Sequence, residues 1–449
     1  MTNTLPAVHA DRRYRTASLM GRVAIEAPVW QLALTYVVIA ILIFFVMGGY
    51  LPISGTRDSS LQTMVSSSDT LWGEIFLLGM WAVGLTIMAP WTRAILATCG
   101  RMKAMICLPI LAIVSIAWSQ DPGNSFRKGI FLLLGTLFGF YLVRRFSATD
   151  LGQIFVMAGI CAGLLGIVVS ILLPEYGRDS FNGDAWQGIF RSKNGCAQIM
   201  LFLLSPAVAF SFSTRGMEMI RFLLFPVTAV LLVMSMAKTS WLLAPGFLLF
   251  MGTLAALRRF NRRDVLFAFG GGVALLIAAG FAVPYILPLV LESLGKNADL
   301  SGRMPLWTSA MVSILKRPML GYGYAAFWTG LKGESLNIFM STHFEIYQAQ
   351  NGLLEVWLEM GIVGVTLVVL TLGKAVKDAV TCIQRGHSQA VNWYIGIVAL
   401  TVIYNVDESF LATAHSVPWL MYIVACTGLA AEARRLRSNY AAGGDGGRR

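Results

Sequence analysis

One short stretch concentrates residues able to do chemistry. The run Gln348-Ala-Gln-Asn-Gly-Leu-Leu-Glu-Val-Trp-Leu-Glu359 spaces Asn351, Glu355 and Glu359 at i, i+4 and i+8. On a helix these three share a face, with the carboxylates about 6 and 12 Å beyond Asn351 along the axis. Carboxylates among leucine, valine and tryptophan suit a general base or the orienting of a hydroxyl. A structural pairing with a cation on a neighbouring helix is the plainer alternative. Four cations stand at other helix mouths: Arg191 and Lys193 in Gly188-Ile-Phe-Arg-Ser-Lys-Asn194, Lys238 in Ser235-Met-Ala-Lys-Thr-Ser240, and Arg303 in Ser301-Gly-Arg-Met-Pro-Leu-Trp307. Arginine offers phosphate oxygens a bidentate fork and lysine a compact charge, although each could simply snorkel to lipid headgroups. His343, eight residues before Asn351, and His415 are further candidate proton acceptors. Asp407 and Glu408 form another acidic pair at a helix end, where a solvated loop is the plainer reading. The six cysteines are scattered, without CxxC or Cys/His spacing, so neither a metal site nor a disulfide framework is expected.

The elements that position these residues are set by composition. Of 449 residues, 56% are hydrophobic and 13% charged, against about 25% charged in ordinary soluble domains. This excludes a soluble enzyme, a disordered chain and a nucleic-acid binder. A helix crosses the hydrocarbon core in about 20 apolar residues. Such runs fall near 30–50, 72–90, 104–119, 129–143, 151–173, 195–213, 222–237, 241–257, 265–291, 352–372, 393–404 and 417–430. The expected fold is therefore all-α, a polytopic integral membrane protein with about twelve transmembrane helices.

The Arg-rich segment 1–29 (Arg12, Arg13, Arg15, Arg22) does not read as a signal peptide and is placed in the cytoplasm. Alternating the loops from there puts roughly twice as many Lys and Arg inside as outside, as cytoplasmic loops require. Both termini are then inside, with 30–431 as the membrane domain and 432–449 as a cytoplasmic, disordered tail. The net charge of +12 thus reflects topology rather than a polyanion-binding surface. Two outer loops exceed connector length. One is 174–194; the other, 292–351, carries Trp307, Tyr322, Tyr324, Phe327 and Trp328 and is expected to contain short helices. Arg191, Lys193, Lys238 and Arg303 all fall on the outer face, a disposition that suits a lipid-linked pyrophosphate.

Several motifs in order carry a resemblance: Trp118-Ser-Gln-Asp-Pro122 with Arg127-Lys-Gly129, Gly188-Ile-Phe-Arg-Ser-Lys-Asn-Gly195, Ser301-Gly-Arg…Trp307, Gly321-Tyr-Gly-Tyr-Ala-Ala-Phe-Trp328, Asn351-Gly-Leu-Leu-Glu355…Glu359-Met-Gly361…Gly364, and Asp407-Glu-Ser409. Together they resemble the O-antigen ligase/polymerase superfamily, most of all its exopolysaccharide (succinoglycan-type) polymerase branch. The resemblance implies an inner-membrane glycosyltransferase using undecaprenyl-diphosphate-linked oligosaccharide, with no cofactor and no metal. It implies that Arg191 and Arg303 grip the donor diphosphate, and it puts a basic residue at Lys238. The family commonly has histidine just before the asparagine matched by Asn351, where this chain has Gln350. Glutamine takes no proton at neutral pH, so a base would be Glu355, Glu359 or His343, unless departure of the diphosphate needs little help.

The leading expectation is a polysaccharide polymerase working on the periplasmic side. Arg191, Lys193, Lys238 and Arg303 would neutralise the leaving diphosphate, Gln350 and Asn351 would hold sugar hydroxyls, and Trp307, Tyr322, Tyr324 and Trp328 would stack on sugars. Expected partners are the lipid-linked oligosaccharide, membrane lipid, and, as further candidates, a chain-length regulator and export machinery. A ligase passing glycan to lipid A-core or protein is the nearest alternative. A transporter or flippase carrying protons on the glutamates is less favoured, because no repeat symmetry is evident, and a structural scaffold least of all.

Overall fold

The computed structural model describes residues 71–180, 183–256, 303–330, 332–342, 346–386 and 388–444, with isolated positions at 39, 43, 264, 267, 270 and 271. The chain divides into units Met1–Val38 and Ile39–Arg449, and the described helices longer than a single turn all belong to the second. These are α1 (Leu71–Met88), α2 (Thr92–Cys99), α3 (Lys103–Val114), α4 (Pro122–Arg145), α5 (Ala148–Leu172), α6 (Lys193–Ala209), α7 (Arg215–Met234), α8 (Lys238–Ala256), α9 (Arg303–Lys316), α10 (Gly333–Thr342), α11 (Gly352–Arg385), α12 (Gln389–Tyr404) and α13 (Val417–Gly444). Strands are limited, among the described residues, to the antiparallel pair Arg178–Asp179 and Ala185–Trp186. The all-α polytopic class is therefore what this sequence folds into.

Six stretches of the described residues are long and apolar enough to cross a membrane: Leu78–Cys99, Pro122–Arg145, Ala148–Leu172, Arg215–Met234, Lys238–Ala256 and Gly352–Arg385. The shorter helices Lys103–Ala117 and Gln389–Tyr404 are also apolar. Every run expected from the sequence lies on a helix except 30–50 and 265–291, which fall almost entirely outside the described residues. The segment 303–342 does contain short helices, α9 and α10.

The centre of the bundle is α13. Its positions 417–430 are all buried, packed against α4, α11 and α12, and a helix apolar on every side belongs in such a place. α6 packs on α5, α7 and α12 beside it. Polar termini set the helix starts. Asp121 caps α4 through Asn124, Ser147 and Asp150 form a capping box on α5, and Ser192, Asn351 and Ser388 cap α6, α11 and α12.

Beyond the bundle core, α13 continues as helix through 432–444, where disorder was expected. The reason is electrostatic: Arg437 reaches Asp378 on α11 at 3.2 Å and Thr381 at 3.0 Å, while Lys374 holds the other oxygen of Asp378 at 2.6 Å. Asp378 is almost fully buried, so leaving it unpaired would be costly.

Candidate active site at four helix N-termini

α11 is a broken helix, and the break builds one wall of the site. Gly361 adopts φ 65°, a left-handed value that glycine reaches without strain, and a Cβ there would collide with the Met319 carbonyl. The interruption frees the carbonyls of Leu358 and Glu359, which accept from the amides of Tyr322 (2.8 Å) and Gly323 (3.0 Å), while Ile362 N–H donates to Pro318 O at 2.9 Å. Backbone groups released inside a membrane helix must find such partners within the protein.

That loop is joined in turn to 118–125. Trp118 Nε1 donates to Leu320 O (2.9 Å), Gln120 N to Tyr322 O (3.0 Å), Asn124 Nδ2 to Ala325 O (2.6 Å) and Ser125 Oγ to Tyr324 O (2.7 Å). The Trp118–Pro122 and Gly321–Trp328 motifs are thus two halves of one joint. Tyr322 and Tyr324, expected to stack on sugars, are 1% and 3% exposed. Their hydroxyls donate to Ser313 O (2.8 Å) and Ala412 O (2.6 Å). Burial in this joint, enforced by the break in α11, leaves them no face to offer a ligand. Trp307 and Trp328 remain half-buried, donating to Ala349 O (3.0 Å) and Glu355 Oε1 (2.7 Å).

Glu355 and Glu359 are buried on the same face of α11, as their spacing predicts. Glu355 is fully engaged, since its second oxygen accepts from Ala349 N–H at 2.5 Å. Glu359 accepts from the Ala325 amide, and Lys128 on α4 acts electrostatically on both. His343 lies outside the described residues. His415 packs on Phe131 with ring centroids 4.5 Å apart, and its nitrogens have no hydrogen-bond partner among the described residues. Burial, helped by Lys128 and Arg127, pushes it down to about 4, so it stays neutral at pH 7.

The cations assemble around the turn between α12 and α13. Asp407 forms an ion pair with Arg303 and accepts a hydrogen bond from Thr239 Oγ1. Arg303 Nε also donates to Gln350 Oε1 at 2.9 Å. Glu408 accepts from Asn194 Nδ2 at 2.9 Å and Gln348 Nε2 at 3.3 Å. Asn351 accepts from Leu353 and Leu354 N–H as the α11 cap, its own N–H donates to Ser409 Oγ (2.9 Å), and its amide donates to Val406 O (3.3 Å). Gly352 N–H donates to Asn405 O at 2.8 Å. The N-termini of α6, α8, α9 and α11 therefore converge on 405–409, bringing Lys193 and Lys238 there with their neighbours Asn194 and Thr239. Four helix starts give a region of positive potential suited to an anion. Arg191, one residue before the α6 cap, is exposed, as is Lys238.

Strained backbone lies in the same place. Gln350 (φ 49°) and Met236 (φ 51°), beside the starts of α11 and α8, are among six described non-glycine residues in the left-handed region, with Asp184, Ala325, Ala412 and His415, a conformation that persists only where the surrounding structure enforces it. The sequence alone did not single out Asn194, Gln348, Thr239 or Lys128. Three of them flank or share a segment with a predicted site residue, which is the signal that was there to read.

Long apolar helices, several of which start at one polar, cation-bearing cluster, define a polytopic α-helical membrane protein. Two comparisons narrow that class, and they agree with the resemblance carried by the motifs. Residues 222–369 match the family described as O-antigen ligase. Over 385 residues, the chain is 25% identical to the exopolysaccharide production protein ExoQ of Rhizobium meliloti, covering 82% of this chain and 86% of that one.

Proposed function

We propose that this protein is a polysaccharide polymerase of the bacterial inner membrane, with both termini cytoplasmic and the site on the periplasmic side. It transfers undecaprenyl-diphosphate-linked glycan to a hydroxyl of another lipid-linked repeat unit. The observation that carries the reading is the convergence of four helix N-termini, with Lys193, Lys238 and Arg303, on the polar turn 405–409. The similarity to an exopolysaccharide production protein supports polymer formation in particular.

In this reading Arg303 is the central diphosphate ligand. Asp407 and Gln350 hold its guanidinium in place, and such preorganised charge is the largest contribution to reactions in which negative charge builds on a leaving group. Arg191, Lys193 and Lys238 line the approach. Asn351 fixes the start of α11, and the amide nitrogen of Gln350 is offered to a sugar hydroxyl. Glu355 and Glu359 order the wall against which the acceptor lies. Stacking falls to Trp307 and Trp328.

The test is lengthening of lipid-linked oligosaccharide by the purified protein in lipid nanodiscs without an ion gradient. Arg303→Ala is expected to slow transfer by about 10²–10³, the cost of removing one such stabilising group. Unchanged polymer length and yield from a stably produced Arg303→Ala variant would sink the diphosphate assignment. A ligase is the second reading, favoured by the description of the matching family. In a deletion strain, single lipid-linked repeats identify a polymerase, and long unattached lipid-linked polymer identifies a ligase.

A further inference from the structure

Asp407 and Glu408 are adjacent in sequence and differ in surroundings. Asp407 is neutralised by Arg303 and bonded by Thr239. Glu408 is held by two neutral amides, Asn194 from the start of α6 and Gln348 from the segment before α11. Among the described residues it has no cation within ion-pair distance, although Arg303 attracts it from the neighbouring position. It is half-buried. The other charged and titratable groups that face it are Asp407 alongside, Arg303 at the start of α9 and the Tyr404 hydroxyl at the end of α12. Catalytic carboxylate pairs in such unlike settings take different roles. The remaining carboxylates near the cluster are otherwise engaged, for Glu355 has both oxygens bonded and Glu359 lies a further turn along α11. Gln350 accepts from Arg303 and takes no proton.

We infer that Glu408 is the general base of the transfer, receiving the proton of the acceptor hydroxyl; this deepens the polymerase reading and rests on it. The acceptor oxygen attacks the anomeric carbon of the donor sugar. The bond from that carbon to the diphosphate oxygen breaks, its electron pair leaves on the diphosphate, and the hydroxyl proton passes to the Glu408 carboxylate. Arg303 and the lysines hold the released diphosphate, and Glu408 afterwards gives the proton to water. Burial raises the proton affinity of Glu408 above that of an ordinary glutamate, opposed by Arg303 and by the amides of Asn194 and Gln348. A base tuned upward is the kind that works near neutral pH.

The test is the pH profile of transfer by the full-length protein in nanodiscs with lipid-linked oligosaccharide, alongside donor binding. Wild type should lose activity on the acid side as Glu408 becomes protonated. Glu408→Gln should bind donor as wild type does, transfer about 10²–10⁴ times more slowly, and show no acid limb. Asn194→Ala keeps the carboxylate but removes a donor that favours its ionised form, so the acid limb should move to higher pH. Near wild-type transfer by Glu408→Gln overturns the assignment, as does an acid limb that Asn194→Ala leaves in place. Should Glu408→Gln fail to accumulate, the Asn194→Ala profile decides. Wild-type protein that binds donor and lengthens no glycan overturns the polymerase reading, and the base with it.

Discussion

Gln350 stands where the resembling family commonly has histidine, and its strained backbone and bond to Arg303 show how much the position still matters. If Glu408 has taken over proton acceptance, an imidazole at 350 should compensate for its loss. The double variant Glu408→Gln with Gln350→His is therefore expected to regain part of the transfer rate, with an acid limb in the histidine range, lowered somewhat by Arg303. Transfer assays of the two single variants and the double would show it; a double variant no faster than Glu408→Gln refutes the substitution of roles. Glu408 also has a stability signature. Its folded state binds a proton more readily than the unfolded chain does, so it favours folding below the ordinary glutamate range and loses that contribution as pH rises through its raised value. Glu408→Gln should accordingly melt no lower than wild type at pH 7 in detergent, even as activity collapses. A clear drop in melting temperature would instead mark Glu408 as a structural anchor. The sequence marked Asp407-Glu-Ser409 as a motif but left a solvated loop as the plainer reading, because Arg303 and Asn194 lie far away along the chain and only folding brings them near.

The same limit applies to α11. The run 352–372 read as one uninterrupted apolar span, shorter than the 34-residue helix that forms, and the helix face shared by Asn351, Glu355 and Glu359 was legible from spacing alone. The break at Gly361 was not, because glycine within a helical pattern is common, and only the approach of Met319 to its Cα makes the position special. Gly361→Ala would force alanine to φ 65°, ψ −168°, a region held almost solely by glycine, at about 1–3 kcal/mol, and drive its Cβ into the Met319 carbonyl. A total loss of about 3 kcal/mol or more is expected, read as a lower melting temperature of the detergent-solubilised protein. A neutral result would mean that the break is not required. Glu355 ties the same elements through its two oxygens. Glu355→Ala strands the Trp328 indole N–H and the Ala349 amide, at about 1–3 kcal/mol for each unsatisfied group. Glu355→Gln, which keeps one acceptor oxygen, should be milder. Equal melting temperatures for the two variants would show that these bonds do not hold the 346–350 segment to α11. The buried Tyr322 and Tyr324 belong to this joint as well, which is why aromatic residues in a long outer loop misled a reading based on composition.

At the scale of the whole molecule, the two ends of α11 divide the labour. From the break at Gly361 to Asp378 is 17 residues of continuous helix, roughly 25 Å along the axis, so the cluster at the start of α11 and the Lys374–Asp378–Arg437 network lie toward opposite ends of α11. The network should matter for folding alone. Since Lys374 and Arg437 are 37% and 44% exposed, solvent screening limits the loss from Asp378→Ala to about 1 kcal/mol, and transfer by the folded protein should be unaffected. The proposed topology puts this basic end in the cytoplasm and the start of α11 on the opposite side. That sidedness is what a lipid-linked donor presented in the periplasm requires. It can be read with single cysteines in a background where Cys99, Cys107 and Cys161, the cysteines not buried among the described residues, are replaced. Lys332→Cys, exposed beside the start of α10, should react with a membrane-impermeant thiol reagent in intact cells. Ser438→Cys, exposed on the far part of α13, should react only after permeabilisation. The reverse pattern would put the cluster in the cytoplasm, where a nucleotide-activated sugar becomes the natural donor and the four cations would have to be reconsidered as its diphosphate ligands.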